Sequence, residues 1–190
     1  GPKGIRLVEE AIPSPGSGEV LVRMKTAGLN RVENMIMYGH FPVMPPLPAK
    51  IGVEGAGVVE KVGEGVEGYE SGDEVCITPN IAFDKYGVIG QYAVVPGSAL
   101  VRKPAGLSWQ EAAGIWMGFG SAYAGLINAG GLKPDAGQTV LVSAASSSVG
   151  LPALQIAKAH GARVIATSRT LTKEASLKQQ GADFVLATDS

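Results

Sequence analysis

The spacing of apolar and polar residues differs between the two halves of the chain. Up to about Val101, short alternating segments are separated by Gly and Pro, which predicts a compact antiparallel β domain. The predicted strands are Glu19–Leu29, Val53–Val62, Asp73–Thr78 and Gln91–Val95. A short helix is predicted after the first strand, at Arg31–Tyr38.

A helical region comes next along the chain. Ser108 and Glu111 have the three-residue spacing of a capping box, which predicts a helix start ahead of the apolar run Ala112–Met117. The segment from Gly130 to Gly137 is rich in turn-forming residues and predicts a connection. Beyond it the pattern becomes strand, helix, strand, helix and strand.

The last part of the chain predicts a parallel sheet. The largely apolar run Val140–Ala144 is typical of a strand that is buried on both faces of such a sheet. Apolar positions then recur at helical spacing up to Gly161. These positions are Val149, Pro152, Ala153, Ile156 and Ala157. A second strand is expected at Val164–Ala166, a second helix at Leu171–Gln180 and a third strand at Phe184–Ala187. The order predicts one half of a doubly wound nucleotide-binding fold.

Composition narrows the class of protein. With 190 residues and 45% apolar content, the chain has enough apolar surface for a real core, and two modest domains are expected. The formal charge of -1 and the lack of a Lys/Arg block argue against nucleic acid or a membrane as the partner, and favour small molecules. The single cysteine, Cys76, excludes an intrachain disulfide and a zinc site built from several thiolates. A cytoplasmic location is therefore expected.

The turn after Val140–Ala144 is the candidate nucleotide site. At the three glycine positions of the usual dinucleotide fingerprint the chain has Ala145, Ser147 and Gly150, so only the last glycine is kept. The N-terminal N–H groups of the next helix, around Ser148 and Val149, favour a phosphate, and the serine hydroxyls add donors. The alternative is an ordinary strand–helix–strand unit with a serine-rich helix cap.

The end of the second predicted strand indicates which dinucleotide binds. NAD sites place a carboxylate there for the ribose 2′-hydroxyl, whereas NADP sites need positive charge for the 2′-phosphate. This chain has Ser168, Arg169 and then Lys173, without an acid among the residues between them. The pattern predicts NADPH, the alternative being that both cations are ordinary solvated charges.

Several motifs in order along the chain resemble the medium-chain dehydrogenase/reductase superfamily, and within it the zinc-free quinone oxidoreductase-like branch. They run from Pro13 to the turn at Gly150 and include Ala27-Gly28-Leu29-Asn30, Gly52-x-Glu54-Gly55-Ala56-Gly57, Gly72-Asp73-x-Val75 and Ser121-Ala122-Tyr123. The resemblance implies an α/β plus β fold, with a GroES-like antiparallel β catalytic domain at 1–125. The first half of a Rossmann sheet follows at 126–190, with cofactor and substrate in the cleft between the two domains.

The resemblance also implies a chemistry. Relatives that use catalytic zinc have a Cys at the position of Asn30 and a His at the position of Val53, so no metal site is expected. Hydride would then pass from NADPH to a quinone or an α,β-unsaturated carbonyl (enone). Asn30 is expected near the nicotinamide and the substrate oxygen, and Ser121 near the cofactor. Asn30 also suits a helix cap before Arg31–Tyr38, and both roles are compatible.

The proton donor is left open by the sequence. Some relatives have tyrosines at the positions of Met35 and Phe41, which this chain lacks. Tyr38 is the candidate acid, with His40 and water as alternatives, and packing is the competing explanation for both side chains.

Two other functions compete with the reductase. A nucleotide-binding protein with little turnover, serving as a sensor or structural module, is possible on the same fold. A short-chain dehydrogenase is disfavoured because its nucleotide turn would come first and because Tyr123 is followed four residues later by Ile127, not Lys. The chain is expected to be part of a longer, homodimeric enzyme and to show little activity alone.

Overall fold

A computed structural model describes residues 2–189 of the chain. The chain divides into two compact units, Gly1–Met117 and Gly118–Ser190, and each is described here by itself. The division into domains at 1–125 and 126–190 stays a prediction. None of the helices within the described residues is both long and apolar enough to cross a membrane.

The first unit is built on a five-stranded antiparallel sheet. Its strands are β1 (Glu19–Ala27), β2 (Gly55–Val62), β3 (Glu74–Ile77), β4 (Tyr92–Pro96) and β5 (Leu100–Arg102). They lie in the order β4-β1-β2-β3-β5, and every neighbouring pair is antiparallel. The predicted antiparallel β domain is confirmed.

Alternation along the strands builds the core of this unit. Val20 and Val22 of β1 pack with Val59, Val75 and Val95, each at most 1% exposed. Each such side chain contributes about 1.5–3 kcal/mol when it is fully buried. The sheet is therefore a rigid support for the loops that leave its edges.

Short helices interrupt and follow the strands along the chain. They are α1 (Arg31–Met37) and α2 (Trp109–Gly114), with 3-10 turns at Pro2–Gly4 and Gly97–Ala99. The predicted capping box starts α2: the Glu111 N–H donates to Ser108 Oγ at 3.3 Å, and the Ser108 N–H donates to Glu111 Oε2 at 2.9 Å. The next helix, α3 (Trp116–Tyr123), is followed by a π-helix at Ala124–Ala129.

The second unit contains the predicted strand–helix alternation. Its elements are β6 (Thr139–Val142), α4 (Gly150–Ala159), β7 (Arg163–Ser168), a 3-10 turn at Leu171–Lys173, α5 (Glu174–Gln179) and β8 (Phe184–Ala187). The strands form a parallel sheet in the order β6-β7-β8. Helix α4 packs against β6 and β7, with Leu154 and Ala157 fully buried. The start of a Rossmann fold is confirmed.

The expectation that Val140–Ala144 is buried on both faces is wrong. Strand β6 ends at Val142 because Ala144 adopts a left-handed conformation, with φ of 46°, and begins the turn. Val142 is buried, but Leu141 is 64% exposed. Leu141 and Phe184 lie in the same cross-strand row, on the face opposite Val142, and both are exposed. The strand has apolar side chains on both of its faces, but among the described residues only the face with Val142 is covered.

Candidate functional site

The register of two strands brings the first group of candidate residues together. Ala27, at the end of β1, pairs with Gly55, at the start of β2. The Gly28 N–H then donates to Glu54 O at 3.0 Å, which continues the pairing by one residue. As a result Asn30, just beyond β1, lies beside Glu54, just before β2.

Glu54 is buried and accepts two hydrogen bonds. Asn30 Nδ2 donates to Glu54 Oε1 at 2.7 Å, and the Met117 backbone N–H donates to Glu54 Oε2 at 2.8 Å. Met117 lies in the first turn of α3, where backbone N–H groups have no partner within the helix and where the helix dipole favours an acid. Glu54 is only 2% exposed, so its carboxyl group is fixed from both sides.

A second buried acid contacts the same asparagine. Asn30 is the N-cap residue of α1, and its backbone N–H donates to Glu33 Oε2 at 2.7 Å, as in a capping box. Glu33 Oε1 has no hydrogen-bond partner among the described residues, and the side chain is 4% exposed. Burial raises the pKa of Glu33, and the neighbouring Glu54 adds to the rise. We call Asn30, Glu33 and Glu54 the Asn30 cluster.

Tyr38 does not belong to this cluster. It is the C-cap residue of α1, whereas Asn30 is the N-cap, so the two are separated by about 12 Å along the helix axis. Tyr38 is 51% exposed, and its ring stacks on His40 with 6.2 Å between centroids. Phe41 contacts Phe83, with 5.7 Å between ring centroids. A role for Tyr38 as proton donor stays a prediction.

Asn30 and Val53, at the positions where zinc-dependent relatives bind the metal, do not fit a metal site. Zinc needs about four N, S or O donors in a tetrahedral array. Val53 is apolar and 2% exposed, and Asn30 turns its Nδ2 donor toward Glu54. Across residues 2–189, three or more His, Cys, Asp or Glu side chains do not gather anywhere in a group that could bind a metal ion.

The candidate nucleotide turn of the second unit, residues 143–149, lies between β6 and α4, and we call it the nucleotide turn. The Ala145 N–H donates to Thr167 O at 3.0 Å, which fixes the turn against β7. The Gly150 N–H donates to Ser147 Oγ at 3.0 Å, so Ser147 caps the start of α4. A Cβ on Gly150 would lie 2.7 Å from both Ala144 O and Ala145 O. Only glycine allows this close packing of helix on strand, which is the role of the last glycine in the fingerprint.

The turn leaves hydrogen-bond donors exposed. Ser148 and Val149 are both exposed, and within the described residues neither backbone N–H has a protein acceptor. Both precede the first residue of α4, where the helix dipole favours an anion. The geometry suits a phosphate group.

Basic side chains lie next to this turn. Lys173 Nζ donates to Ser146 Oγ at 3.1 Å, which connects the 3-10 turn after β7 to the nucleotide turn. Ser168 ends β7 half-buried, and Arg169 follows it exposed. The structure also brings in an acid that the sequence pattern did not suggest: the Asp189 N–H donates to Arg169 O at 3.0 Å.

The candidate residues thus fall into two groups and two separate positions, of which Tyr38 at the end of α1 is one. The Asn30 cluster is in the first unit, and the nucleotide turn with Ser168, Arg169 and Lys173 is in the second. Ser121 lies exposed on α3. Sequence reasoning missed both acids of the Asn30 cluster. The three-residue spacing of Asn30 and Glu33 was a usable capping signal, but the contact with Glu54 depends on strand register.

Known proteins resemble this chain over its whole length. Residues 16–105 match the alcohol dehydrogenase GroES-like domain. Human quinone oxidoreductase is 33% identical over 97% of this chain and 55% of its own length. An NAD-dependent alcohol dehydrogenase structure is 35% identical, with a TM-score of 0.91, over all of this chain and 61% of that one.

A third match is the structure of Escherichia coli quinone oxidoreductase complexed with NADPH. It is 34% identical, with a TM-score of 0.84, over 98% of this chain and 55% of that one. The chain therefore spans about half the length of the curated relatives that it matches. The GroES-like match, the parallel sheet that follows and these relatives agree with one another. The chain belongs to the medium-chain dehydrogenase/reductase superfamily, in its quinone oxidoreductase-like branch.

Proposed function

We propose that the protein containing this chain transfers hydride from NADPH to a quinone or an α,β-unsaturated carbonyl, without zinc. The observation that carries this proposal is the contact of Lys173 with Ser146, which brings a cation to the nucleotide turn. Arg169 supplies a second cation directly after β7.

The choice of NADPH rests on charge around the turn. A 2′-phosphate is bound by cations and hydroxyls, whereas a free 2′-hydroxyl is bound by a carboxylate. The side chains near the turn are of the first kind: Lys173, Arg169 and Ser168. Asp189 contacts this group through its backbone N–H. Solved relatives include an NAD-dependent protein and one complexed with NADPH, so the residues of this chain carry the argument.

Each candidate residue has its own role in the proposed reaction. NADPH supplies the hydride when bound. The N–H groups of Ser148 and Val149 and the packing at Gly150 bind and orient its phosphates, and Lys173 and Arg169 select the 2′-phosphate. Asn30 donates a hydrogen bond to the substrate oxygen, and Ser121 lies near the cofactor. Tyr38 stays the candidate proton donor, with water as the alternative.

The proposed reaction does not use a metal. An acceptor such as a quinone or an enone is already electrophilic at the carbon that receives hydride, so a Lewis acid is not needed for it. The donor set at Asn30 and Val53 suits this chemistry better than zinc-dependent alcohol oxidation. A homodimeric assembly and a cytoplasmic location also stay predictions.

Dissociation constants of the full-length protein for NADPH and NADH test the cofactor. We expect tighter binding of NADPH. Lys173→Ala should weaken NADPH about tenfold, because a hydrogen bond to a charged group is worth about 1.5–3 kcal/mol, and should change NADH little. Lys178→Ala is the matched control, since Lys178 is a lysine of α5 that pairs with Glu174. Equal affinity of the wild-type protein for both dinucleotides would overturn the NADPH proposal.

Oxidation of NADPH against a panel of quinones and enones tests the reaction itself. We expect turnover with at least one acceptor from these two classes. Tight NADPH binding without turnover on any of them would favour the competing function, a nucleotide-binding sensor or structural module.

A further inference from the structure

We propose that Glu54 is a positioning residue, which orients the Asn30 carboxamide so that an N–H donor, not the amide oxygen, faces the substrate oxygen. This inference rests on the proposed reductase function. It follows from three features of Glu54: its carboxyl oxygens accept hydrogen bonds, its side chain is tightly packed, and a second hydrogen bond from the Met117 N–H fixes it.

The chemistry of Glu54 selects one orientation of the amide. Both Glu54 oxygens face N–H donors, Asn30 Nδ2 at 2.7 Å and the Met117 N–H at 2.8 Å. If the amide of Asn30 were reversed, its oxygen would face Glu54 Oε1, and the hydrogen bond from Nδ2 would be lost. One N–H of Nδ2 is therefore used by Glu54, and the second N–H has no protein acceptor in the described part of the chain.

The packing shows that Glu54 cannot easily move aside. Its side chain is 2% exposed, and Gly28 leaves the space that it fills: a Cβ at Gly28 would lie 2.6 Å from Glu54 Oε1. Asn30 itself is half-buried and is held at its backbone by Glu33. The remaining N–H of Asn30 is thus presented in a fixed direction at a partly open position.

A fixed N–H donor suits the proposed reaction. When hydride adds to an enone or a quinone, negative charge develops on the carbonyl oxygen. A donor that is already oriented toward that oxygen stabilises the transition state without reorganisation. The amide oxygen of Asn30 in the same place would repel that charge.

The test uses the full-length holoenzyme with two variants and a control. In Glu54→Gln, the introduced amide cannot accept from both Asn30 and Met117, so we expect kcat to fall about tenfold or more while Kd for NADPH stays unchanged. The double variant N30D/E54Q exchanges donor and acceptor: the introduced glutamine donates to the introduced aspartate and still accepts from Met117. Glu60→Gln, an exposed acid on β2 paired with Arg23, is the control and should keep full activity.

The double variant separates loss of the N–H donor from loss of stability. We expect it to recover the thermal stability lost in E54Q but not the turnover, because no N–H faces the substrate. Recovery of both stability and turnover would mean that the reaction does not need an N–H donor at this position, and full kcat in E54Q would equally overturn the proposal.

A second readout does not depend on turnover. In protein labelled with ¹⁵N-asparagine, the Asn30 side-chain amide, assigned by its loss in Asn30→Ala, should show two well-separated proton shifts that converge in E54Q. Unchanged shifts in E54Q would overturn the orientation by Glu54. A wild-type protein that lacks turnover on every acceptor would instead overturn the reductase function, while these shifts still decide what Glu54 does to Asn30.

Discussion

At the scale of single residues, the most informative feature is the Asn30 cluster, where two buried acids contact one asparagine. Glu33 and Glu54 are at most 4% exposed. Acids are rarely buried to this degree unless hydrogen bonds satisfy them. Glu54 has both oxygens bonded, whereas Glu33 Oε1 has no partner in the described residues. The two acids should therefore respond differently to substitution.

Gly28→Ala should destabilise the protein. The new Cβ would lie 2.6 Å from Glu54 Oε1 and 2.7 Å from Ala113 O, and the latter is backbone that cannot move aside. Overpacking of this kind costs about 1–3 kcal/mol in the free energy of unfolding, measured by urea titration. Gly106→Ala, where nothing lies within 4 Å of the new Cβ, is the control. Equal stability of the two variants would contradict the packing at Gly28.

Glu33→Gln should change stability in a pH-dependent way. Burial raises the folded-state pKa of Glu33 above its ordinary value of 4.5. The stability gained from its proton is complete below pH 4.5 and is lost as pH rises through the folded value. The wild-type protein should therefore lose stability relative to the variant as pH is raised from about 4.5, which urea unfolding at several pH values would measure.

Glu111→Gln is a matched control, for which we expect the opposite pH dependence of stability. Glu111 occupies the same capping-box position in α2, but its hydrogen bonds with Ser108 lower its pKa. Its contribution is present above the ordinary pKa and is lost as pH falls. The wild-type protein should therefore become more stable relative to Glu111→Gln as pH rises. A stability difference between wild type and Glu33→Gln that does not change with pH would contradict the account of Glu33.

At the scale of elements, the local signals in the sequence were sufficient for most helices and strands. The alternation in Glu19–Leu29 and the capping pair Ser108 and Glu111 predicted β1 and α2, because both signals depend on neighbours in the chain. Local signals wrongly predicted that Val140–Ala144 is buried on both faces, since burial depends on what covers the sheet. They also missed the contact of Asn30 with Glu54, because it requires the register of β1 against β2.

Gly150→Ala should weaken both the fold of the second unit and cofactor binding. A Cβ there would meet two backbone oxygens at 2.7 Å, so α4 would have to move away from the turn. We expect a loss of about 1–3 kcal/mol in the free energy of unfolding and at least tenfold weaker NADPH binding. Calorimetry of Gly150→Ala is compared with that of Gly120→Ala, where the added methyl meets no atom within 4 Å. NADPH affinity that survives Gly150→Ala would contradict the close approach of cofactor and turn.

At the scale of the whole molecule, an antiparallel β unit is followed by a parallel sheet with a nucleotide turn. This order was predictable because strand spacing and the change to strand–helix alternation are spread over the entire chain. The relatives place it in a superfamily whose named members include quinone oxidoreductases. The acceptor is less predictable from residues 2–189, because only Asn30 and its neighbours bear on it.

Removal of metal should leave the proposed activity unchanged. Val53 is apolar and the Asn30 amide is engaged with Glu54, so the positions that bind zinc in other members do not offer it a site. Turnover of the full-length protein before and after treatment with a chelator, together with elemental analysis, measures this. Stoichiometric zinc whose removal abolishes turnover would contradict the metal-free mechanism.

The central claim is reduction of an electrophilic carbonyl by NADPH, and one measurement addresses it most directly. The full-length protein is mixed with a quinone or an enone, and kcat/KM is determined with NADPH and with NADH as the hydride donor. We expect turnover, with NADPH preferred by about tenfold or more because Lys173 and Arg169 bind the 2′-phosphate. No turnover with either dinucleotide, or an equal or better rate with NADH, would contradict the account.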